Sequence, residues 1–143
     1  MQVQTEPVSP MVPAPFRIVD TCEEMPGCTT MRVEPAGNAG SSDFSPGQFY
    51  MIYVFGHGES PISVSGGDPA APGQLIFTVM AVGSVTQALC AAKAGDTIGL
   101  RGPFGSAWPV DDLGGRDVLV MAGGLGLAPL RPAIYRLLSQ RET

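Results

Sequence analysis

Glycine and proline are scattered along the whole chain, and their density constrains its fold more than any other feature. Nineteen glycines and fourteen prolines fill about 23% of the 143 residues, against a usual share of roughly 12%. Both residues break helix interiors, so a helical bundle or coiled coil is excluded. No strict G-X-Y repeat is present, which excludes collagen. Hydrophobic residues make up 44% and charged residues 15%, a balance that suits a packed core rather than disorder. A chain this long can bury one core without staples. A turn-rich β or mixed fold remains.

Charge narrows the function classes. Eight basic and thirteen acidic residues give a net charge of −5, and Lys93 is the only lysine. Tracking a phosphate backbone needs clustered cations, so a nucleic-acid partner is not expected. Residues 1–100 carry three basic and nine acidic residues, whereas residues 101–143 carry five arginines and four acids. The chain changes character near residue 101. Cys22, Cys28 and Cys90 fit neither a disulfide framework nor a metal or cluster spacing. They read as idle or buried thiols, and no metal site is expected. The uncharged stretch 69–92 is interrupted by Gly83-Ser84, Thr86 and Gln87, so it reads as strand, turn and helix rather than a membrane span. The first basic residue is Arg17, so the start lacks the cationic opening of a signal peptide. A soluble, cytoplasmic chain is expected.

Residues 1–14 carry three prolines and no periodicity, and read as an extended or disordered tail. Strands are expected at Phe16–Asp20, Thr29–Val33, Gln48–Phe55, Ile62–Ser65, Gln74–Val82 and Thr97–Arg101. Pro26-Gly27, Gly56-His57-Gly58 and Gly95-Asp96 supply turns, and 35–43 and 66–73 read as loops. Thr86 is the expected N-cap of a short helix running to about Lys93. The fold class is therefore mainly β: a six-stranded antiparallel Greek-key barrel with one short helix, ending near Gly105. Beyond Asp112 the pattern changes. Asp117–Ala122 is a short apolar run, Gly123-Gly124-Leu125-Gly126 follows, and a helical pattern runs to about Gln140. Its apolar face carries Leu130, Ile134, Leu137 and Leu138. Strand, glycine turn and helix open a nucleotide-binding α/β unit. The expected division is a tail at 1–14, a barrel at 15–110, and the first βα unit of a truncated α/β domain at 115–143.

Residue inventory excludes several chemistries. His57 is the only histidine and lies between two glycines, so no Ser-His or Cys-His pair can be assembled on a matching motif. The lone lysine is followed by alanine, so no Walker A loop exists. Three segments could meet a ligand. Gly58-Glu59-Ser60-Pro61-Ile62-Ser63 leads into a strand through a proline. Gly83-Ser84-Val85-Thr86 precedes a helix, whose first N–H groups suit a phosphate. Gly123-Gly124-x-Gly126-x-Ala128-Pro129 follows a strand and precedes a helix, the context of a dinucleotide pyrophosphate loop. It departs from G-x-G-x-x-G by ending in proline near helix position N1. Each alone has an ordinary reading, as a strand start, a helix cap or a turn.

Taken in order, PFRIVDTCEEMPGCTTMRVEP, FSPGQFYMIYVFGHGESPISVSG, VGSVTQAL, GDTIGLRGPFG and VLVMAGGLGLAPLRPAI resemble the ferredoxin–NADP reductase-like FAD/NAD(P)-binding flavoproteins. Within them the chain looks most like the gamma-subunit branch of cytoplasmic nickel–iron hydrogenases. The electron-transfer subunit of dihydroorotate dehydrogenase and the B subunit of anaerobic sulfite reductase are near relatives. The resemblance covers residues 15–138. It implies an FAD-binding barrel followed by an NAD(P)-binding domain. In the family an R-x-Y-[ST] or R-P-I-S motif meets the flavin, and here that place reads Ser60, Pro61, Ile62 and Ser63. Ser60 replaces the arginine, which removes a charge-assisted phosphate contact. Thr78, Val79 and Met80 match a flavin-lining stretch, and Gly83, Val85 and Thr86 match the pyrophosphate turn. Gly123, Gly124 and Gly126 match the nicotinamide-nucleotide loop. A [2Fe–2S] cluster belongs, by the same resemblance, to a C-terminal part outside this sequence.

The implied activity is that of a flavin-dependent oxidoreductase subunit. It would pass electrons between NAD(P)H and the iron–sulfur and catalytic subunits of a hydrogenase-type complex. The cofactor does the chemistry, so no catalytic side chain is expected. The alternative is a cofactor-poor β-barrel interaction module of such a complex.

Overall fold

The computed structural model describes residues 9, 11–37, 42–68 and 71–140. Six strands form a closed barrel: β1 (Ala14–Met25), β2 (Cys28–Pro35), β3 (Phe49–Val54), β4 (Gly58–Asp68), β5 (Ala71–Met80) and β6 (Thr97–Phe104). Helix α1 (Ser84–Ala91) joins β5 to β6, and α2 (Leu127–Ser139) closes the chain. All pairings are antiparallel, in the order β1-β2-β5-β4-β3-β6. After the consecutive strands β3, β4 and β5, the chain returns through α1 to lie beside β3, which is Greek-key topology.

Period-2 alternation builds the wall. In β2, Met31 and Val33 are fully buried while Thr30 and Arg32 are not. The core gathers Phe16, Ile18, Tyr50, Ile52, Val64, Leu75, Phe77, Val79, Ile98 and Leu100, with Leu89 of α1 among them. Leu89 is wholly buried, so α1 is anchored to the barrel by its apolar side. A Leu→Ala change at such a site costs roughly 2–5 kcal/mol.

All six expected strands are present, but most are longer than their apolar patterns indicate. Strand β1 runs to Met25 and β4 to Asp68 because hydrogen-bonded partners carry both past their apolar centres. Thr86 is not the N-cap of α1. Gly83 holds that position and Thr86 is the third helical residue. Much of the expected tail at 1–14 lies outside the described residues, as do 38–41 and 69–70 of the two expected loops and 141–143 of the α/β start.

The main difference follows the barrel. Asp117–Ala122 forms no strand. A strand is made by pairing with a neighbouring strand, and among the described residues no strand pairs with this segment; Val118 and Val120 instead share a cavity with Ile134, Leu137 and Leu138 of α2. Leu119 and Met121 are left 82% and 80% exposed. Helix α2 does form and lies against β4. It buries Pro132 and Ala133. The expected apolar face stays at most half-buried, because no further sheet among the described residues covers it. At the junction, the backbone N–H of Trp108 donates to the Pro46 carbonyl at 2.7 Å, and Gly47 (φ +102°) admits the indole. A Cβ there would stand 2.6 Å from Trp108 Cδ1.

Candidate functional site

Register brings the first two candidate segments together. Ser60 faces Ile52 and Ser63 faces Phe49 across β3–β4, while β4 also pairs with β5, which carries Thr78, Val79 and Met80. The chain leaves β5 through Ala81 and Val82 and enters α1 at Gly83. Helix α2 brings its N-terminal turn back over β4.

The result is an open cleft of about 400 Å³. Ser60, Pro61, Ile62 and Ser63 line it from β4, Thr78, Val79 and Met80 from β5, and Thr86 from α1. Gly126 lines it from the turn before α2. The segments are far apart in sequence, so the cleft is a product of topology. Gly83, Val85, Gly123 and Gly124 fall outside its lining. Gly83 is the cap of α1, and Val85 turns toward the core instead. Gly123 and Gly124 are exposed ahead of the short 3-10 turn. Val82 and Leu125 also line the cleft, although nothing in their residue types marks them as candidates, and so do Ala128 and Pro129 of the third segment. Ala128 and Pro129 lay inside the glycine motif itself, so their signal was adjacency.

Polar groups are few and specific. Thr86 Oγ1 accepts from the backbone N–H groups of Val82 (3.0 Å) and Gly83 (2.9 Å), and donates to the Gly83 carbonyl (3.1 Å). The hydroxyl thereby fixes the turn into α1. The N-cap residue itself, Gly83, has no side chain to accept from the first helical turn, so the N–H groups of that turn keep their partial positive charge. The hydroxyls of Ser60 and Ser63 have no partner among the described residues. Thr78 Oγ1 lies 3.0 Å from Thr30 Oγ1 and 3.1 Å from Ser65 Oγ. Among the described residues, no Lys, Arg, Asp or Glu lines the cleft.

The nearest ion pair stands beside it. Arg101 donates from Nε to Glu59 Oε2 at 3.0 Å and from Nη2 to Glu59 Oε1 at 2.5 Å, with its guanidinium 5.6 Å from the Phe104 ring centre. The hydrogen bonds from Arg101 hold the Glu59 carboxyl below its usual range. This two-point pair braces β4 one residue before Ser60. Arg101 is thereby committed to Glu59 and does not stand in for an arginine at position 60.

No family model matches. The gamma subunit of sulfhydrogenase 2 from Pyrococcus furiosus is 40% identical over 92 residues, covering 64% of this chain and 31% of the relative. The probable electron transfer subunit of dihydroorotate dehydrogenase B (NAD(+)) from Methanocaldococcus jannaschii is 35% identical over 129 residues, covering 90% of this chain and 44% of the relative. The chain is a homologue of these two kinds of subunit. It spans about a third to under half the length of the curated relatives it matches.

Solved structures agree on the fold. The ferredoxin reductase of carbazole 1,9a-dioxygenase superposes with a TM-score of 0.76 at 22% identity, covering 96% of this chain and 41% of that one. An NADH-dependent reduced ferredoxin–NADP oxidoreductase matches with a TM-score of 0.56 at 28% identity, covering 64% and 33%. The fold of the chain is that of the ferredoxin–NADP reductase-like proteins.

Proposed function

We propose that the chain is the FAD-binding part of an electron-transfer subunit, working between NAD(P)H and the iron–sulfur and catalytic subunits of a hydrogenase-type complex. One observation carries this reading. Three segments that match flavin- and nucleotide-binding motifs, none diagnostic alone, meet around one cleft. The residues fit the group. Uncapped N–H groups at α1 suit the pyrophosphate. Ile62, Val79, Met80 and Pro129 give apolar walls, and the unpartnered hydroxyls of Ser60 and Ser63 offer hydrogen bonds. Such a mix of apolar walls and few polar groups is typical of cofactor sites. Flavin, when bound, supplies the exchange between two-electron and one-electron carriers, while this chain binds and orients it.

We assign the barrel to residues 15–110 and the start of an NAD(P)-binding α/β domain to 115–143. The glycine turn at Gly123, Gly124 and Gly126 is then the nicotinamide-nucleotide loop, and a [2Fe–2S] cluster would be carried outside this sequence. A reducing, cytoplasmic setting suits the free thiols of Cys22, Cys28 and Cys90.

Titration of the chain with FAD tests the reading. Saturable binding, followed by the flavin band near ~450 nm, is expected, and an unchanged flavin spectrum at all ratios would sink it. One observation favours a second reading, a cofactor-poor interaction module: Ser60 stands where an arginine is expected, and no cation among the described residues lines the cleft. That reading requires the titration to fail while the chain still captures its partner subunits.

A further inference from the structure

Thr78, like Thr86, carries a cleft hydroxyl whose orientation follows from its hydrogen bonds. Strand β4 pairs Val64 with Phe77 and Gly66 with Ile76, so Ser65 is the extra residue of a bulge. Bulges re-aim side chains. Here the bulge brings Ser65, wholly buried, against Thr78 of β5. Ser65 Oγ lies 3.0 Å from the Ile76 carbonyl. A carbonyl only accepts and a serine has one proton, so Ser65 donates to Ile76. The 3.1 Å contact with Thr78 must then carry the Thr78 proton to Ser65. The 3.0 Å contact with Thr30 must in turn carry the Thr30 proton to Thr78. The Thr78 proton is thereby spent on Ser65, outside the cleft lining, and is not offered to the cleft.

We propose that this relay makes Thr78 a specificity-determining residue that offers the cleft an acceptor and no donor. Ser65, which does not line the cleft, is the positioning residue that sets its polarity. The site then has two chemically distinct parts. Around α1, N–H groups donate and favour phosphate oxygens. At Thr78, a lone pair favours an N–H or O–H and disfavours an anion. A flavin dinucleotide meets both demands in only one orientation, with its phosphates toward α1 and a donor of its uncharged flavin–ribityl part toward Thr78.

This inference rests on the FAD reading and is tested so that the two can fail separately. The full chain and its Thr78→Val, Thr78→Ser and Ser65→Ala variants are titrated with FAD and with ADP, which carries only the phosphate end. Thr78→Val is expected to weaken FAD binding roughly three- to tenfold, the range of one hydrogen bond, and to leave ADP binding unchanged. Ser65→Ala should weaken FAD similarly, because the Thr78 proton loses its inward acceptor, and Thr78→Ser should bind FAD like the parent chain. FAD binding unaffected by Thr78→Val or Ser65→Ala overturns the inference and leaves the FAD reading standing. Equal losses for FAD and ADP overturn it in favour of a general structural role. No FAD binding by the parent chain overturns both.

Discussion

Single hydroxyl groups carry much of the local order. Thr86 closes the turn into α1 with three hydrogen bonds and is 8% exposed. Thr86→Val keeps the shape but leaves the Val82 and Gly83 N–H groups unpaired, so a loss of about 1–3 kcal/mol is expected in urea unfolding. Tyr50 is a second case. Its hydroxyl donates to the Asp43 carbonyl at 3.0 Å, and burial, with a smaller contribution from Asp43, pushes the phenol up to about 12. An unfolded tyrosine ionises near ~10. Below that pH both states keep the proton and stability is at its full value. Between the two values only the unfolded chain releases it, so stability falls as pH rises. The melting temperature should therefore drop on going from pH 10 to pH 12. In Tyr50→Phe that part of the drop should vanish, although the variant starts lower for want of the Asp43 hydrogen bond.

At the scale of elements, glycine placement explains both what the sequence disclosed and what it hid. The turns at Gly27, Gly56 and Gly95 all take positive φ, and each was legible as a Gly-containing turn. Gly102 was not legible, because it lies inside β6, where glycine usually weakens a strand. Its φ is +145°, and a Cβ there would stand 2.9 Å from Tyr50 Cδ1 and 3.2 Å from the Phe49 carbonyl. Gly102→Ala should destabilise by about 1–3 kcal/mol, read from the denaturation midpoint. Strand identity came from apolar alternation, which is local. Strand length depended on partners that no short window contains, hence the underestimates at β1 and β4. The N-cap of α1 was misassigned because Thr86 has the right chemistry for a cap, yet its hydroxyl is spent inside the first turn.

For the molecule as a whole, the barrel was legible because six apolar runs with glycine and proline turns admit few other arrangements. The candidate site was legible only in pieces. Ser60–Ser63, Thr78–Met80, Thr86 and Gly126 could be picked out one by one, but their meeting depends on the β5–β4–β3 order and on where α2 lies. Polarity was beyond reach of sequence, since the bulge at Ser65 is a property of pairing. The expected strand at 117–122 failed for a related reason: its apolar run was read correctly, and its neighbours were not there to pair with. Every barrel strand is hydrogen-bonded on both sides. That closure leaves Val118-Leu119-Val120-Met121 as a β-prone run without a paired neighbour. It contains no proline and no charge, and such runs self-associate when several chains meet. Concentrated solutions should therefore scatter light increasingly with time, through this segment rather than the barrel. Replacing Leu119, 82% exposed, by lysine should suppress the scattering without shifting the melting temperature by more than a degree or so, since a charge on such a run blocks stacking. The same exposed run that is inert within one molecule thus sets how long, and how concentrated, the protein can be kept in solution.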